Sequence, residues 1–503
     1  MFRRRICFCF ACAVAALTAY LMMFAAPSVA SAQEKKAEKK GGDAKAVSFI
    51  TDVAPILKEN CFACHDAKKK SGKYDMTTFE KLMAGGSDGP PVVAGKAKDS
   101  DFHDLIVTEE PRRMPPRDKG EAVPKDKALV IARWIDQGAK LDGGLDPKAD
   151  LVKELRVRWK PPVPPEKYPF PAVVNSLAFS PDGKTLVVGG HHELTVWDFA
   201  AGKLVKRVYT RSERAYGMVF LPNGNLAVAG GRPGQEGDVR VYDLNAKGRF
   251  AGDVDILAGV NDTKVMLKHL IDVDDSVLCI AVSADGKYLA AGGTDRAVRV
   301  WDLSSGVAGA RLTQTVENHA DWVLGVSISN DGRFLVTAGR DKTAKVWDLQ
   351  AKESVVTFPE HQNIVYGVAV KGDGTAGFSV GADKQLRTWK PGGEGKQVKN
   401  AGGHGDEVFR VVFNPKQPML ATSSADKTVR LWNSETLAAG ATLNGLTDFV
   451  YAVAFSPNGE YVAGGGYDGN VAVWKVSDAK ASPKVFNASP GYVAPKAAEP
   501  AKK

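Results

Sequence analysis

The chain has 503 residues, too many for one ordinary core and enough for two or three domains. Hydrophobic residues at 44% and charged residues at 25% exclude a wholly disordered chain and a polytopic membrane protein. Lys+Arg 67 against Asp+Glu 58 gives +9, which taken alone points to an acidic partner such as nucleic acid or a membrane surface.

Arg3, Arg4 and Arg5 precede an apolar run from Ile6 to about Phe24, closed by Ala30-Ser31-Ala32. This is the pattern of a secretory signal peptide over residues 1–32, so the mature chain is expected to be periplasmic or secreted; a retained anchor is the alternative. Cys7, Cys9 and Cys12 fall inside that segment, which leaves Cys61, Cys64 and Cys279, too few for a disulfide framework. Residues 33–45, rich in Lys, Glu and Gly without apolar periodicity, are a flexible charged leader.

Phe49, Val53, Ile56 and Leu57 fall at helical spacing, with Pro55 near the first turn. Asn60–His65 then reads NCFACH, and Cys-x-x-Cys-His is the attachment motif for c-type haem. On one helical turn both thiols reach the two vinyl groups and the imidazole of His65 is directed at the iron. A zinc site would need a second ligand pair that the chain lacks, and a thioredoxin-like motif would need a surrounding βαβ unit. For the sixth iron position Met76, Met83 and Met114 are candidates, with His103 as a nitrogen alternative. Met76 and Met83 lie on an expected helix, Asp75–Met83, where core packing is the default. Met114 sits in RRMPP, where Pro115 and Pro116 stiffen the loop, so it is the expected ligand, against His103 or an open position. Ala128–Ala139 (ALVIARWIDQGA) is a short amphipathic helix, and Trp134 is expected to pack on the first helix or the haem edge.

The succession ITDVAPILKENCFACH, FEKLMAGGSDGPPVVAGKAKDSDFHDLI, RRMPP and ARWIDQGA resembles the planctomycete-type cytochrome c domain over residues 46–140. The resemblance implies a small all-α electron-carrying fold in which Cys61, Cys64, His65 and Met114 hold one covalent haem c.

Residues 141–170 carry most of PPVPPEKYPFP (Pro161–Pro171), which is expected to form a semi-rigid extended linker. Beyond it one pattern returns: an alternating strand, S-x-D/N-G, a second strand, a turn, and a strand ending in Trp. SPDGKTLVVGG…LTVWD (Ser180–Asp198) recurs as SADGKYLAAGGTDRAVRVWD (Ser283–Asp302) and SNDGRFLVTAGRDKTAKVWD (Ser329–Asp348). The anchors Trp197, Tyr242, Trp301, Trp347, Trp389, Trp432 and Trp474 are 45, 59, 46, 42, 43 and 42 residues apart. This period resembles an all-β WD-repeat propeller, here seven-bladed over residues 171–488, with a flexible tail at 489–503. The 59-residue step implies an inter-blade loop insertion near Ala246–Val273. His319, Asp341, Trp347 recur at equal spacing as His361, Asp383, Trp389 and His404, Asp426, Trp432, a structural tie and not a charge relay. Adjacent His191 and His192 are expected in a surface turn, and Cys279 in a buried strand. The last blade closes either on Lys484–Asn487 or on the segment before Phe170.

These features predict an exported haem protein that transfers or senses single electrons, an electron carrier or scaffold in preference to an enzyme. A redox partner protein meets the haem and another protein the propeller rim. The alternative is an enzyme whose propeller carries a second cofactor or substrate site while the cytochrome drains its electrons. The charge divides as +3 on residues 1–32, +2 on 33–45 and +2 on 489–503, while residues 171–488 balance at 34 against 34. Two nearly neutral domains with basic ends do not predict a nucleic-acid partner, and no integral span is expected after signal cleavage.

Overall fold

The computed structural model of the chain describes residues 46–109 and 111–494. The expected signal peptide (1–32), the leader (33–45) and residues 495–503 of the tail lie outside them. The chain divides into two compact units, residues 1–155 and 156–503.

In the first unit a helical turn at Phe49–Val53 runs into α1, Ala54–Asn60, with Pro55 where a missing N–H costs nothing. Phe49, Val53, Ile56 and Leu57 are all buried, so the helical period marks the core face. Helix α2 spans Phe79–Ala84, shorter than the expected Asp75–Met83. The cause is local: the Asp75 carboxylate accepts from the Thr77 amide and hydroxyl, and Thr78 caps the Lys81 amide. Met76, which lies before α2, is buried and Met83 packs against the same core, the packing role expected of both. Helix α3 spans Asp101–Val107, and α4, Lys125–Asp136, starts directly after Pro124 and stops before Gly138, whose φ is +100°. Trp134 of α4 packs on Phe49 and Phe79, ring centroids 5.2 and 6.4 Å apart, and its indole donates to the Lys140 carbonyl at 2.9 Å.

The stretch expected to be an extended linker is structured. Helix α5 covers Leu151–Arg158, and Leu151, Leu145 and Leu155 pack into the first unit's core. Residues from 156 onward fold with the second unit, where Tyr168 is buried and donates its hydroxyl to Glu193 at 2.6 Å. Proline content alone did not reveal these apolar and hydrogen-bonded anchors.

The second unit consists of antiparallel sheets. Val277–Val282, Tyr288–Gly293, Val298–Asp302 and Arg311–Val316 form a four-stranded sheet whose strands pair in chain order. Four further sheets of the same order begin at Val323–Ile328, Val365–Val370, Val408–Phe413 and Val450–Phe455. The S-x-D-G turns explain the recurrence. Ser329 donates to Asp331, Asp331 accepts from the Arg333 amide, and Gly332 takes φ +69° where a Cβ would meet the Tyr288 ring at 2.9 Å.

The preceding sheet is larger, because one strand, Lys203–Phe220, runs for 18 residues and serves as the fourth strand of one repeat and the first of the next. The insertion forms strands rather than a plain loop. Arg249–Ala251 pairs with Val254–Leu257, which adds in parallel to Lys206–Val208 of the long strand. The last sheet is completed by Lys484–Asn487 beside Asn470–Lys475, the first of the two closures considered. Val174, Leu177 and Phe179 share a core with Ala452, Ala463 and Val473, so the first and last repeats pack together.

His192 departs from a surface turn, whereas His191 is exposed as expected. Both lie in the strand His191–Asp198, and His192 is buried at φ +57° with Nδ1 3.2 Å from the Arg211 carbonyl. The Trp159 and His191 rings cover it, and burial together with the His191 charge pushes its pKa down to about 4. Cys279 is buried as expected.

The polar triples are joined by a fourth residue. His361 Nδ1 meets Asp383 at 3.0 Å and Nε2 meets the Ser379 hydroxyl at 2.8 Å, while Trp389 donates to the same hydroxyl at 3.1 Å. His404, Asp426 and Trp432 meet likewise through Thr422, at 2.8, 2.7 and 2.8 Å. His319 and Asp341 join Thr337, but the buried Trp347 indole has no partner. Ser379 resembles a relay nucleophile, yet it is fully buried and its oxygen is occupied by an indole N–H, so the arrangement holds structure. In the last sheet Leu446 replaces His and Trp474 donates instead to the Asn444 carbonyl at 3.0 Å.

Replacing Thr422 with Val keeps the volume but strands His404 Nε2 and the Trp432 N–H. A loss of about 2–3 kcal/mol is expected, read from the urea transition of the second unit. Burial raises the Asp383 carboxyl, but the bond and charge of His361, then Arg387, outweigh it and hold the pKa at about 2. At Asp426 burial is outweighed by Thr428, the Gly405 amide and His404, again giving about 2. Both lie below the ordinary 3.8, so this stabilisation is present above that pH and is lost as pH falls through about 2. Acid unfolding of the second unit should steepen in that window, and Asp426→Asn should flatten it.

Candidate functional site

The candidate site starts where α1 ends. The Asn60 amide group donates to the Ile56 carbonyl at 2.8 Å, and the Cys61 N–H donates to the Leu57 carbonyl at 2.8 Å. The chain then tightens, with the Cys64 and His65 amides both donating to the Cys61 carbonyl, at 3.1 and 3.0 Å. One turn thus carries both thiols and the imidazole. The returning segment clamps it: the Ser71 amide donates to the Cys64 carbonyl at 3.0 Å and the Met76 amide to the His65 carbonyl at 2.8 Å.

His65 Nδ1 lies 3.2 Å from the Tyr74 carbonyl, and the two rings meet edge-on with centroids 5.5 Å apart. A carbonyl only accepts, so the proton belongs on Nδ1 and the Nε2 lone pair is left available. This is the tautomer a metal-ligating histidine needs, with its second nitrogen fixed by a backbone oxygen. Tyr74 is held in turn by its hydroxyl, which donates to the Leu82 carbonyl at 2.7 Å. Burial, then the Cys61 charge, pushes the phenol well above the ordinary tyrosine range.

Burial pushes the Cys61 thiol up to about 12, and Cys64 adds to the shift. The residues present therefore fit a covalently held haem: two thiols on one turn and an imidazole with an oriented, free Nε2.

Met114 lies on a separate loop. Its N–H donates to the Leu105 carbonyl of α3 at 2.8 Å, its peptide bond to Pro115 is cis, and its side chain is 40% exposed. Arg113 donates to the Gly120 carbonyl at 2.9 Å and closes the loop. Lys119 of the same loop is pushed above the ordinary lysine range by the bond and charge of Asp118, with a further contribution from Cys64. His103 is half-buried on α3. Lys68, Lys69, Lys70 and Lys73 are exposed, in a turn organised by Asp66, which accepts from the Lys68 and Lys69 amides at 2.8 and 2.6 Å.

This geometry, a haem-type turn in a small helical unit followed by repeated four-stranded sheets, defines a cytochrome-type module joined to WD-type repeats. The family described as planctomycete cytochrome C matches residues 61–118, which include the motif and the Met114 loop. The WD domain, G-beta repeat family matches five segments, residues 168–198, 263–302, 310–348, 395–433 and 439–475. The chain is 26% identical to Protein groucho of Drosophila melanogaster over 136 residues, covering 26% of this chain and 16% of that protein. It is 32% identical to Protein CIA1 of Arabidopsis thaliana over 91 residues, covering 16% of this chain and 26% of that protein. The cytochrome match implies haem c binding, and the repeats imply protein–protein interaction. Among the described residues no helix is long and apolar enough to cross a membrane.

Sequence reasoning missed the Tyr74 carbonyl and the hydroxyls of Thr337, Ser379 and Thr422. The hydroxyls had a findable signal, a constant interval of 18 residues after each histidine. The carbonyl had none.

Tyr74→Phe keeps the ring against His65 but strips the buried Leu82 carbonyl of its donor. Haem attachment should survive by mass, while the first unit loses about 1–2 kcal/mol in chemical unfolding.

Proposed function

We propose that the chain is an exported electron carrier holding one haem c, with a seven-bladed propeller as the surface on which partner proteins dock. The observation that carries the haem assignment is His65 with Nδ1 committed to the Tyr74 carbonyl, on the same turn as the Cys61 and Cys64 thiols. Once attached, haem supplies a one-electron couple. The chain's own residues do the rest. Cys61 and Cys64 tether it, His65 offers Nε2, and Tyr74 fixes the imidazole orientation.

Met114 is the sixth ligand in this reading. A large apolar side chain left 40% exposed, on a loop pinned by Leu105 and Gly120, supports it. Thioether sulfur in that position raises the potential and suits electron transfer over ligand activation.

Seven blades are supported by seven strands that each precede one anchor: Leu177–Phe179, the end of Lys203–Phe220, and those starting at Val277, Val323, Val365, Val408 and Val450. Each packs on the next, and the last packs on Leu177–Phe179. Export to the periplasm or beyond is supported by Arg3–Arg5 and the apolar run after them. The partner at the haem is a redox protein; that on the propeller rim is a protein of unassigned identity.

Expression of the full chain with haem-attachment machinery tests the reading. Intact mass and the pyridine haemochrome spectrum should give one covalent haem, and none or two would overturn it. Cys64→Ser should leave a single thioether. Met114→Ala should abolish the sulfur-to-iron absorption and lower the reduction potential, whereas an unchanged spectrum removes Met114 from the assignment.

A further inference from the structure

The first strands of the second unit's sheets line a partly open cavity of about 310 Å³. Directly after the register shift in these strands stand Gly217, Cys279, Gly325, Gly367 and Ala452, all small. The equivalent residue in Val408–Phe413 is Arg410. Small neighbours give it room. Its guanidinium reaches across two sheets, and Nη1 donates to the Leu324 carbonyl at 2.7 Å and to the Tyr366 carbonyl at 3.2 Å.

Among the described residues lining the cavity there is no Asp or Glu, and Arg410 is the one charged side chain. The hydrogen bonds described engage Nη1 alone, and the side chain lines the cavity. Arg410 is half-buried, and the buried arginines of this unit differ. Arg207 has Glu193 at 2.6 Å and Arg240 has Asp238 at 2.6 Å, and both are pushed above the ordinary arginine range against the cost of burial. Arg410 is pushed down by burial, with no carboxylate to offset it. A half-buried cation with no carboxylate beside it among the described residues is a site open to an anion.

The walls narrow the ligand's chemistry. Ser327 accepts from the Val370 amide at 3.1 Å and so keeps its own proton to donate. Met218, Ile280, Val326 and Val368 are apolar. One positive charge matches a monoanion, the guanidinium fork matches a planar carboxylate, and the apolar walls match a compact organic body. The volume lies at the lower end of ligand pockets. We propose that this cavity binds a small organic monocarboxylate, with Arg410 as its counter-ion and Ser327 as a second donor.

The haem-loaded full chain is titrated with acetate, benzoate, inorganic phosphate and the neutral benzamide, reading the unfolding midpoint of the second unit and calorimetric heat. Benzoate or acetate should bind saturably and raise the midpoint, while benzamide should not. Arg410→Met should abolish the effect, and Ser327→Ala should weaken binding about tenfold. Equal responses to benzoate and benzamide, retention of binding in Arg410→Met, preference for phosphate, or no response to any probe would overturn the proposal. If Arg410→Met does not fold, Ser327→Ala and the benzoate–benzamide contrast in the unaltered chain decide it.

Discussion

A hydroxyl buried between an imidazole and an indole must place one proton and two lone pairs, and the repeated sheets depend on that requirement. In Ser379 and Thr422 the indole N–H and the histidine Nε2 converge on one oxygen, while Nδ1 passes the chain of bonds to a carboxylate near the turn. Each tie joins the third strand of a sheet to the loop that enters it. It fixes the strand register and leaves few buried polar groups unmet. Variation follows the same accounting. Trp474, without a histidine beside it, finds a backbone carbonyl, and Trp197 takes the Thr195 hydroxyl at 2.9 Å.

The repeat architecture was legible because its constraints are local and periodic. Trp, Asp and the S-x-D-G turn stand at fixed intervals, each set by the strands and turns between them. What escaped depended on contacts distant in sequence. Tyr168 is anchored by Glu193, and Leu151 by a core built from residues near 50 and 130, so a proline-rich stretch looked like a spacer. His192 looked like a turn residue because the Arg211 carbonyl and the Trp159 ring that bury it come from elsewhere. The insertion near 250 showed only as extra length, since strand addition to Lys206–Val208 leaves no spacing signature.

The haem-type turn was legible for a different reason. Cys61, Cys64 and His65 are close neighbours in the chain, so a motif read in the sequence becomes one turn in the fold. The support around them was not legible in this way. A backbone carbonyl such as that of Tyr74 has no side-chain signature, and the sequence offered a helix over 75–83 where an Asx turn instead delivers the segment to His65. Arg410 was hidden similarly, because its meaning lies in the glycines at the equivalent places of neighbouring strands. The apparent basicity of the whole chain proved to be a property of its ends.

The strand Lys203–Phe220 has a consequence for how the array comes apart. Repeat proteins are ordinarily sums of separable modules joined by nearest-neighbour terms, so fraying proceeds one module at a time. Here a single uninterrupted backbone belongs to two modules, and further strands are laid against it from the insertion. Neither module has a hinge at which to let go of the other. The first two repeats therefore form one cooperative block, and any stepwise loss of structure must begin elsewhere in the array and halt at that block.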